Sequence, residues 1–183
     1  MPINHTIRDH MIFRVILQGM SHPGNVLSLP DLHEDEPSVF AVLGCLMDNE
    51  VTLSVIGDPA LEAALARHTA SRTARSQDAD YIIVRNGTTR SKLANFKRGS
   101  LEYPDTGATV LFLVEELSEA TGVVLSGPGV NGTASLRITG LDPGELQLLR
   151  EANSEFPLGV DAIFLDQSGH IACIPRSSQI GVN

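Results

Sequence analysis

A run of cationic side chains in the middle of the chain is the first feature that could bind a ligand. Eight of the thirteen basic residues lie between positions 63 and 101, where there are only two acids. No acid lies within residues 81–101, and the basic residues there are Arg85, Arg90, Lys92, Lys97 and Arg98. Guanidinium groups bind phosphate in a bidentate manner, and an ammonium group binds it as a point charge. The segment predicts a contact with a phosphate-bearing ligand or an acidic protein surface; the alternative is salt bridges to the chain's own acids.

A second candidate site lies near the C-terminus, where Arg176 is followed by Ser177 and Ser178. An arginine beside two hydroxyls at the end of a strand could hold an oxygen of a phosphonate or a triphosphate. The same residues could also cap the structure or fix the C-terminus to a partner. We therefore predict an anion or partner contact at Arg176, Ser177, Ser178, Arg85, Arg90, Lys92 and Arg98.

Motifs of common catalytic sites are missing or lie in the wrong context. Residues 127–132 spell the dinucleotide-binding pattern G-x-G-x-x-G, but that pattern needs a helix after the loop, whereas residues 134–140 are strand-like. We interpret the loop as a turn between strands. The histidines and cysteines lack metal-ligand spacing, and there is no G-x-S-x-G motif of a serine nucleophile. The sequence therefore predicts neither a catalytic residue nor a metal site.

Two further features bear on a bound cofactor or cation. The chain has only two lysines, Lys92 and Lys97, and both lie in a polar stretch that offers no burial to keep a Schiff-base amine unprotonated. The acidic run Glu34-Asp35-Glu36 could bind a divalent cation, but charged runs in loops are usually solvated. We therefore predict no cofactor.

Hydrophobic periodicity and turn residues predict the helices and strands that must position these side chains. The predicted helices cover residues 8–20, 38–47, 59–70, 88–96 and 143–153, with Ser38, Asp58 and Asp142 as N-terminal caps. The predicted strands cover residues 51–56, 81–84, 108–115, 123–126, 134–140, 160–165 and 171–174. We predict an antiparallel meander for the three strands between 108 and 140 and a hairpin for the last two. The pattern is typical of one α/β domain with a mixed sheet.

The composition restricts the class of protein. The 183 residues are 42% hydrophobic and 4% aromatic, which is sufficient for one core of mainly aliphatic side chains. The net charge of −9 argues against nucleic-acid binding, which requires a basic footprint. There is no apolar run of about 20 residues and no export signal, so we expect a soluble, cytoplasmic protein without a membrane contact. Cys45 and Cys173 are expected to be buried, reduced thiols.

Four segments of the chain are similar to segments of one known protein family. Residues 13–24, FRVILQGMSHPG, resemble the family's opening helix and the Pro-Gly that ends it. Residues 125–130, LSGPGV, resemble its L-x-G-P-G-I segment. Residues 156–161, FPLGVD, resemble F-P-L-G-[IV]-D, and residues 174–178, IPRSS, resemble its closing P-R-[ST]-[ST]. The segments occur in family order and extend over nearly the whole chain, and together they resemble the PhnH family of phosphonate metabolism.

The resemblance implies a fold and a functional setting. The implied fold is a single PhnH-like domain over residues 1–183, with three α/β/α layers and a mixed sheet, similar to pyridoxal-phosphate-dependent transferases but without the cofactor. The implied function is that of an accessory subunit of the carbon–phosphorus lyase complex, supporting formation of ribose 1-alkylphosphonate 5-triphosphate from ATP and alkylphosphonate. The implied partners are PhnG, PhnI, PhnJ and PhnL, with a homodimer when the subunit is isolated. The alternatives are a free-standing phosphonate- or nucleotide-binding enzyme and a purely structural dimeric subunit.

Overall fold

The computed structural model describes residues 5–30 and 37–181 of the chain. Its α-helices are α1 (His5–Ser21), α2 (Ser38–Leu46), α3 (Pro59–Thr69) and α4 (Pro143–Ala152). Its strands are β1 (Leu27–Ser28), β2 (Thr52–Ile56), β3 (Arg72–Thr73), β4 (Tyr81–Val84), β5 (Thr109–Leu113), β6 (Glu116–Ser126), β7 (Ala134–Thr139), β8 (Asp161–Leu165), β9 (His170–Ile174) and β10 (Gln179–Gly181). Two 3₁₀ turns cover Lys92–Asn95 and Pro104–Thr106. The acidic run Glu34-Asp35-Glu36 lies outside the described residues.

Seven strands form a large mixed sheet in the order β1-β9-β8-β5-β4-β2-β3. Strands β8, β5, β4, β2 and β3 run parallel, whereas β9 is antiparallel to β8 and β1 is antiparallel to β9. Strands β10, β6 and β7 form a separate antiparallel sheet. The predicted mixed α/β fold and the predicted hairpin of β8 and β9 are confirmed.

Apolar side chains cover both faces of the large sheet. In β4, Ile83 belongs to a core cluster with Ile12 of α1, whereas Ile82 and Val84 belong to a second cluster with Leu149 of α4. Alternate residues of a strand point to opposite faces, so a strand buried on both faces has a continuous apolar sequence. Helices α1, α2 and α3 cover the first face, and α4 with the small sheet covers the second. The second outer layer therefore combines a helix and a sheet rather than helices alone.

Two of the three predicted helix caps are confirmed. Asp58 and Asp142 each accept a hydrogen bond at 2.9 Å from a backbone N–H of the first turn, and a proline follows each of them. The predicted cap at Ser38 is wrong, because Pro37 occupies the N-cap position in an extended conformation and no side chain caps the helix. Ser38 is instead the first helical residue.

The predicted helix over residues 88–96 is wrong. Only the 3₁₀ turn Lys92–Asn95 forms there. Arg90 and Ser91 have φ values of 53° and 62°, which lie outside the right-handed helical region. The chain therefore cannot continue as a helix through these two residues.

The predicted meander is wrong in its first strand. Strand β5 lies inside the large sheet, parallel to β4 and β8, and residues 110–112 are buried against both faces. Continuous burial is typical of a central parallel strand. The turn expected near residues 118–122 lies within β6, which pairs with β7 through an irregular register between Ser118 and Val123. Only the antiparallel pairing of β6 with β7 is confirmed.

Helix α1 packs closely against strand β9. A Cβ built on Gly19 would lie 2.9 Å from Sγ of Cys173, which is closer than van der Waals contact. Cys173 is fully buried, and this burial raises the pKa of its thiol to about 12. The thiol is therefore protonated at neutral pH and serves as a packing group rather than a nucleophile. Both cysteines are free thiols, but Cys45 is only half-buried.

We expect the substitution Gly19→Ala to reduce the free energy of unfolding by about 1–3 kcal/mol, because the added methyl group overpacks the contact between α1 and β9. The measurement is equilibrium unfolding in urea. The control is the same substitution in a Cys173→Ala background, where the missing sulfur leaves room and the cost should be smaller. An equal cost in both backgrounds would contradict this contact.

Candidate functional site

The structure distributes the predicted basic segment over both ends of the parallel strands. Arg85 lies at the carboxyl end, directly after β4, whereas Lys97 and Arg98 lie near the amino end, before β5. All three side chains form ion pairs with the chain's own acids. The pairs are Arg85 with Asp58 at 3.7 Å, Arg98 with Glu155 at 2.9 Å, and Lys97 with Asp80. These three residues therefore form salt bridges within the chain. Such salt bridges were the alternative to a contact with a phosphate-bearing ligand or an acidic protein surface.

Arg90 and Lys92 lie in an exposed loop that a buried carboxylate holds in place. Neither side chain has an ion-pair partner within the part of the chain that the structure describes. Glu145, which is 3% exposed, accepts hydrogen bonds from N and Oγ1 of Thr89 at 2.7 and 2.8 Å. Because a buried charge is costly without hydrogen bonds, these contacts fix the loop against α4. The sequence could not reveal this pair, because the two residues are 56 positions apart.

Asp80 joins the start of β4 to β2 and to Lys97. Its carboxylate accepts hydrogen bonds from N and Oγ1 of Thr52 at 2.8 and 2.6 Å and from the ammonium group of Lys97. Partial burial raises the pKa of Asp80, but the hydrogen bonds from Lys97 and Thr52 and the charge of Lys97 outweigh it, so the pKa lies below its usual value. Asp80 is therefore ionised at neutral pH. It forms a structural ion pair with Lys97.

Four nitrogen atoms of Arg176 donate hydrogen bonds that hold this residue at the amino end of the parallel strands. Its backbone N donates to Oδ1 of Asp161 at 2.8 Å, and its Nε and Nη2 donate to Oδ2 at 3.0 and 2.6 Å. Its Nη1 donates to the carbonyl oxygen of Pro104 at 2.6 Å. Arg176 thus joins the start of β8, the turn after β9 and the 3₁₀ turn before β5. A direct contact of Arg176 with an anion stays a prediction.

A cleft of about 570 Å³ lies beside Arg176, between α4 and the C-terminal segment. This volume is typical of small-molecule sites. The lining comes from the end of α4, from the residues around β10, and from three of the four segments that carry the family resemblance. The lining residues are Pro128, Arg150, Asn153, Ser154, Phe156, Arg176, Ser177, Ser178, Gln179 and Ile180. The structure thus brings Arg176, Ser177 and Ser178 together in one cleft, and the other predicted contact residues do not line it.

The fourth segment, residues 13–24, packs against the glycine-rich loop at the rim of this cleft. Gly129 has a φ of 83°, and a Cβ at this position would collide with the carbonyl oxygen of Ser21 at the end of α1. Only glycine fits this close approach without strain. The loop joins β6 to β7, which confirms that residues 127–132 form a turn between strands. All four segments, although far apart in sequence, therefore meet in one region.

Two smaller cavities of about 350 and 390 Å³ lie at the opposite, carboxyl end of the parallel strands. Ligands of open α/β sheets often bind at this end. Arg85 and Gln167 line both cavities, but the acids Asp166 and Glu115 each line one of them. The buried carboxylate of Asp166 lies 2.9 Å from Nδ1 of His170. Because the charges here are mixed, this crevice suits an anion less well than the cleft at the amino end.

Helix α1 exposes several large apolar side chains, with the exposed polar residues Arg14 and Gln18 among them. Of the seven large hydrophobic residues exposed in the described ranges, four belong to this helix, and we call them the α1 face: Ile7, Met11, Phe13 and Leu17. Phe13 and Leu17 also line a groove of about 200 Å³ together with residues of α2 and β4. Exposed apolar patches of this kind often mark a protein contact. The periodicity of the sequence predicted the helix but not which part of its broad apolar stripe stays exposed.

Two features are absent from residues 5–30 and 37–181. These residues contain no group of three or more His, Cys, Asp or Glu side chains that could hold a metal ion. None of their helices combines the length and the apolar character needed to cross a bilayer.

Comparison with known proteins identifies the family. The family model described as bacterial phosphonate metabolism protein (PhnH) matches residues 4–181. The chain belongs to the PhnH family. A relative from Stutzerimonas stutzeri, named as a C-P lyase subunit protein, HtxG, is 34% identical over 178 residues, covering 96% of this chain and 87% of the relative. The α-D-ribose 1-methylphosphonate 5-triphosphate synthase subunit PhnH of Rhizobium meliloti is 25% identical over 181 residues, covering 92% of this chain and 88% of the relative.

We expect Lys97→Met to raise the pKa of Asp80 and to reduce stability at neutral pH by up to about 1 kcal/mol, since the pair is partly exposed. A carboxylate whose pKa is lowered in the folded state stabilises the protein above its unfolded-state pKa, and this contribution is lost as the pH falls through the folded-state pKa. Urea unfolding should therefore separate wild type and variant at neutral pH, and the difference should vanish as the pH falls through the folded-state pKa of Asp80, which is lowered. If wild type and variant still differed as much in stability at acidic pH, the stabilising role given to the ion pair of Asp80 with Lys97 would be wrong.

We expect Glu145→Ala to lower the free energy of unfolding by about 2–3 kcal/mol, because the N–H and hydroxyl groups of Thr89 lose their buried acceptor. The measurement is urea unfolding, with limited proteolysis as a probe of the loop around Arg90. The matched control is Glu151→Ala on the exposed side of the same helix, which should change stability by less than about 0.5 kcal/mol. Equal effects of the two substitutions would refute the role given to the buried carboxylate.

Proposed function

We propose that this PhnH protein is an accessory subunit of the carbon–phosphorus lyase complex and supports formation of ribose 1-alkylphosphonate 5-triphosphate from ATP and an alkylphosphonate. Family membership over residues 4–181 supports the proposal. The names of the two relatives also support the proposal. One is named as a subunit of C-P lyase, and the other as a subunit of α-D-ribose 1-methylphosphonate 5-triphosphate synthase.

The α1 face is the structural observation that carries the proposal. Leu17 is 54% exposed and Phe13 is 47% exposed, on a helix whose opposite side is buried in the core. Burying a large apolar side chain stabilises a complex by about 1.5–3 kcal/mol. Covering this face with another protein therefore lowers the free energy of the system. We place the contact with PhnG, PhnI and PhnJ on the α1 face and count PhnL as a further partner. In the isolated protein, a second copy covers the same face and gives a homodimer.

The cationic side chains near the amino end of the sheet support an accessory role. Lys97, Arg98 and Arg176 are each bound to an acid of the same chain, so their charges stabilise the architecture. Catalytic groups for the reaction then come from companion subunits. The proposal includes a cytoplasmic location and a fold similar to pyridoxal-phosphate-dependent transferases without the cofactor.

We expect Leu17→Glu to reduce retention of PhnG, PhnI and PhnJ in a pull-down by about tenfold or more, because a charge at the centre of an apolar contact must be desolvated. The matched control is Leu101→Glu, the same change at a leucine that is 78% exposed and lies outside α1. This control should assemble like wild type. Both variants should keep the wild-type circular dichroism spectrum and unfolding midpoint. Full retention of the three subunits by a folded Leu17→Glu variant would overturn the proposed docking face.

A further inference from the structure

A groove of about 580 Å³ lies between the outer side of α1 and the short strand β1. It is lined by residues between positions 11 and 22 and by Ser28 and Pro30, and we call it the α1–β1 groove. Its lining includes two groups that can carry a positive charge, Arg14 and His22, and no Asp or Glu. This is uncommon in a chain with 22 acids and 13 basic residues. A concave surface of this charge attracts a negatively charged partner.

The charge of Arg14 is not balanced within the chain. Its side chain is exposed on α1 and forms neither an ion pair nor a hydrogen bond in the part of the chain that the structure describes. Nδ1 of His22 lies 3.2 Å from the carbonyl oxygen of Gln18. Because a carbonyl oxygen only accepts, Nδ1 is the donor, and Nε2 is left for a ligand. A carboxylate in the groove would give Arg14 the bidentate partner that suits a guanidinium group.

The free edge of β1 offers backbone hydrogen bonds beside these cations. In the described ranges β1 is an outermost strand of the large sheet and pairs only with β9. The N–H of Leu29 donates to the carbonyl oxygen of Gly169 at 2.9 Å, so the backbone groups of Leu29 face β9. Because the backbone groups of successive strand residues point to opposite edges, the N–H and C=O of Ser28 point away from β9. Ser28 lines the groove, so both groups are available to an incoming strand.

The neighbouring residues limit this edge to a short pairing. The N–H of Val26 already donates to Oε1 of Glu119 at 3.2 Å, and Pro30 has no N–H. Short strands and prolines usually protect a sheet edge against uncontrolled pairing. The edge at Ser28 therefore suits one extended segment that is also held by its side chains, rather than a long shared sheet.

The groove also has an apolar wall. Met11 and Leu17 of the α1 face line it together with the partly buried Val15. Residues i and i+2 of an extended segment project to the same side. An acidic residue and an apolar residue at this spacing would therefore reach Arg14 and the apolar wall at the same time.

We propose that the α1–β1 groove binds an extended segment of a partner subunit in which an acidic and an apolar residue stand two positions apart. The backbone of this segment pairs with the N–H and C=O of Ser28. Its carboxylate binds Arg14, and its apolar side chain packs on Met11 and Val15. The inference rests on the proposed function, because it specifies how PhnG, PhnI or PhnJ contacts the side of α1 next to β1.

The first test locates the carboxylate by chemical coupling in the complex with PhnG, PhnI and PhnJ. Arg14→Lys keeps the positive charge and introduces an amine, which a carbodiimide couples to a carboxylate in direct contact. We expect mass spectrometry to find this amine joined to an Asp or Glu of one of the three subunits. The matched control is Arg137→Lys, the same change at an exposed position on β7 outside the groove, which should give no such product. Coupling only to acids of this chain, in the same or a second copy, would overturn the inference.

The second test is retention of PhnG, PhnI and PhnJ in a pull-down. We expect Arg14→Glu to reduce retention by roughly tenfold, because two carboxylates then face each other. Ser28→Pro removes the N–H at the free edge and keeps the bond of Leu29 to Gly169, so we expect a loss of roughly threefold to tenfold. Ser28→Ala keeps the backbone N–H and should behave like wild type. All three variants should keep the wild-type circular dichroism spectrum.

The outcomes separate this inference from the docking proposal. Wild-type retention by Arg14→Glu together with a loss in Leu17→Glu would overturn the role of the groove and leave the α1 face as the docking surface. Wild-type retention by both variants would overturn both proposals. Equal losses in Ser28→Ala and Ser28→Pro would refute the backbone pairing at β1.

Discussion

The ion pair of Asp161 with Arg176 is the constraint on which the amino end of the sheet depends. Asp161 is the last residue of the FPLGVD segment and the first of β8, and Arg176 lies in the IPRSS segment after β9. Three N–H groups donate into one carboxylate, and a fourth reaches Pro104. Charge-assisted bonds of this kind have strict geometry, so they fix the direction in which the chain leaves β9 towards β10. Two of the segments that identify the family are therefore two halves of one interaction.

This interaction explains why the shared segments do not need to be a reaction centre. The glycine-rich loop makes room for the end of α1, and the Asp161 pair holds the C-terminal strand that completes the small sheet. One side of α1 packs on the large sheet, and the α1 face remains exposed. The α1 face and the cleft beside Arg176 are thus separate features of the surface.

Local patterns predicted much of the local structure but failed at residues 88–96 and at the Ser38 cap, and distant pairs were beyond them. The apolar run of β4, the Asp-Pro caps of α3 and α4 and the hairpin of β8 and β9 depend on neighbouring residues, and the sequence predicted all of them. Strand β5 was placed in the wrong sheet, because a short apolar run does not specify its neighbours. The partners of Glu145, Lys97 and Arg176 are set by tertiary contacts over 15 to 72 positions. The sequence therefore pointed to Arg176 but not to Arg150 or Glu145, and it could not give Arg176 its partner Asp161.

The most direct measurement of the central claim is product formation from ATP and an alkylphosphonate, followed by phosphorus NMR, with this protein alone, with PhnG, PhnI and PhnL, and with those subunits alone. We expect no turnover by the isolated chain and formation of the ribose 1-alkylphosphonate triphosphate only when the companions are present, with a higher yield when this protein is added. Turnover at an enzyme-like rate by the isolated chain, or an unchanged yield without it, would contradict the account.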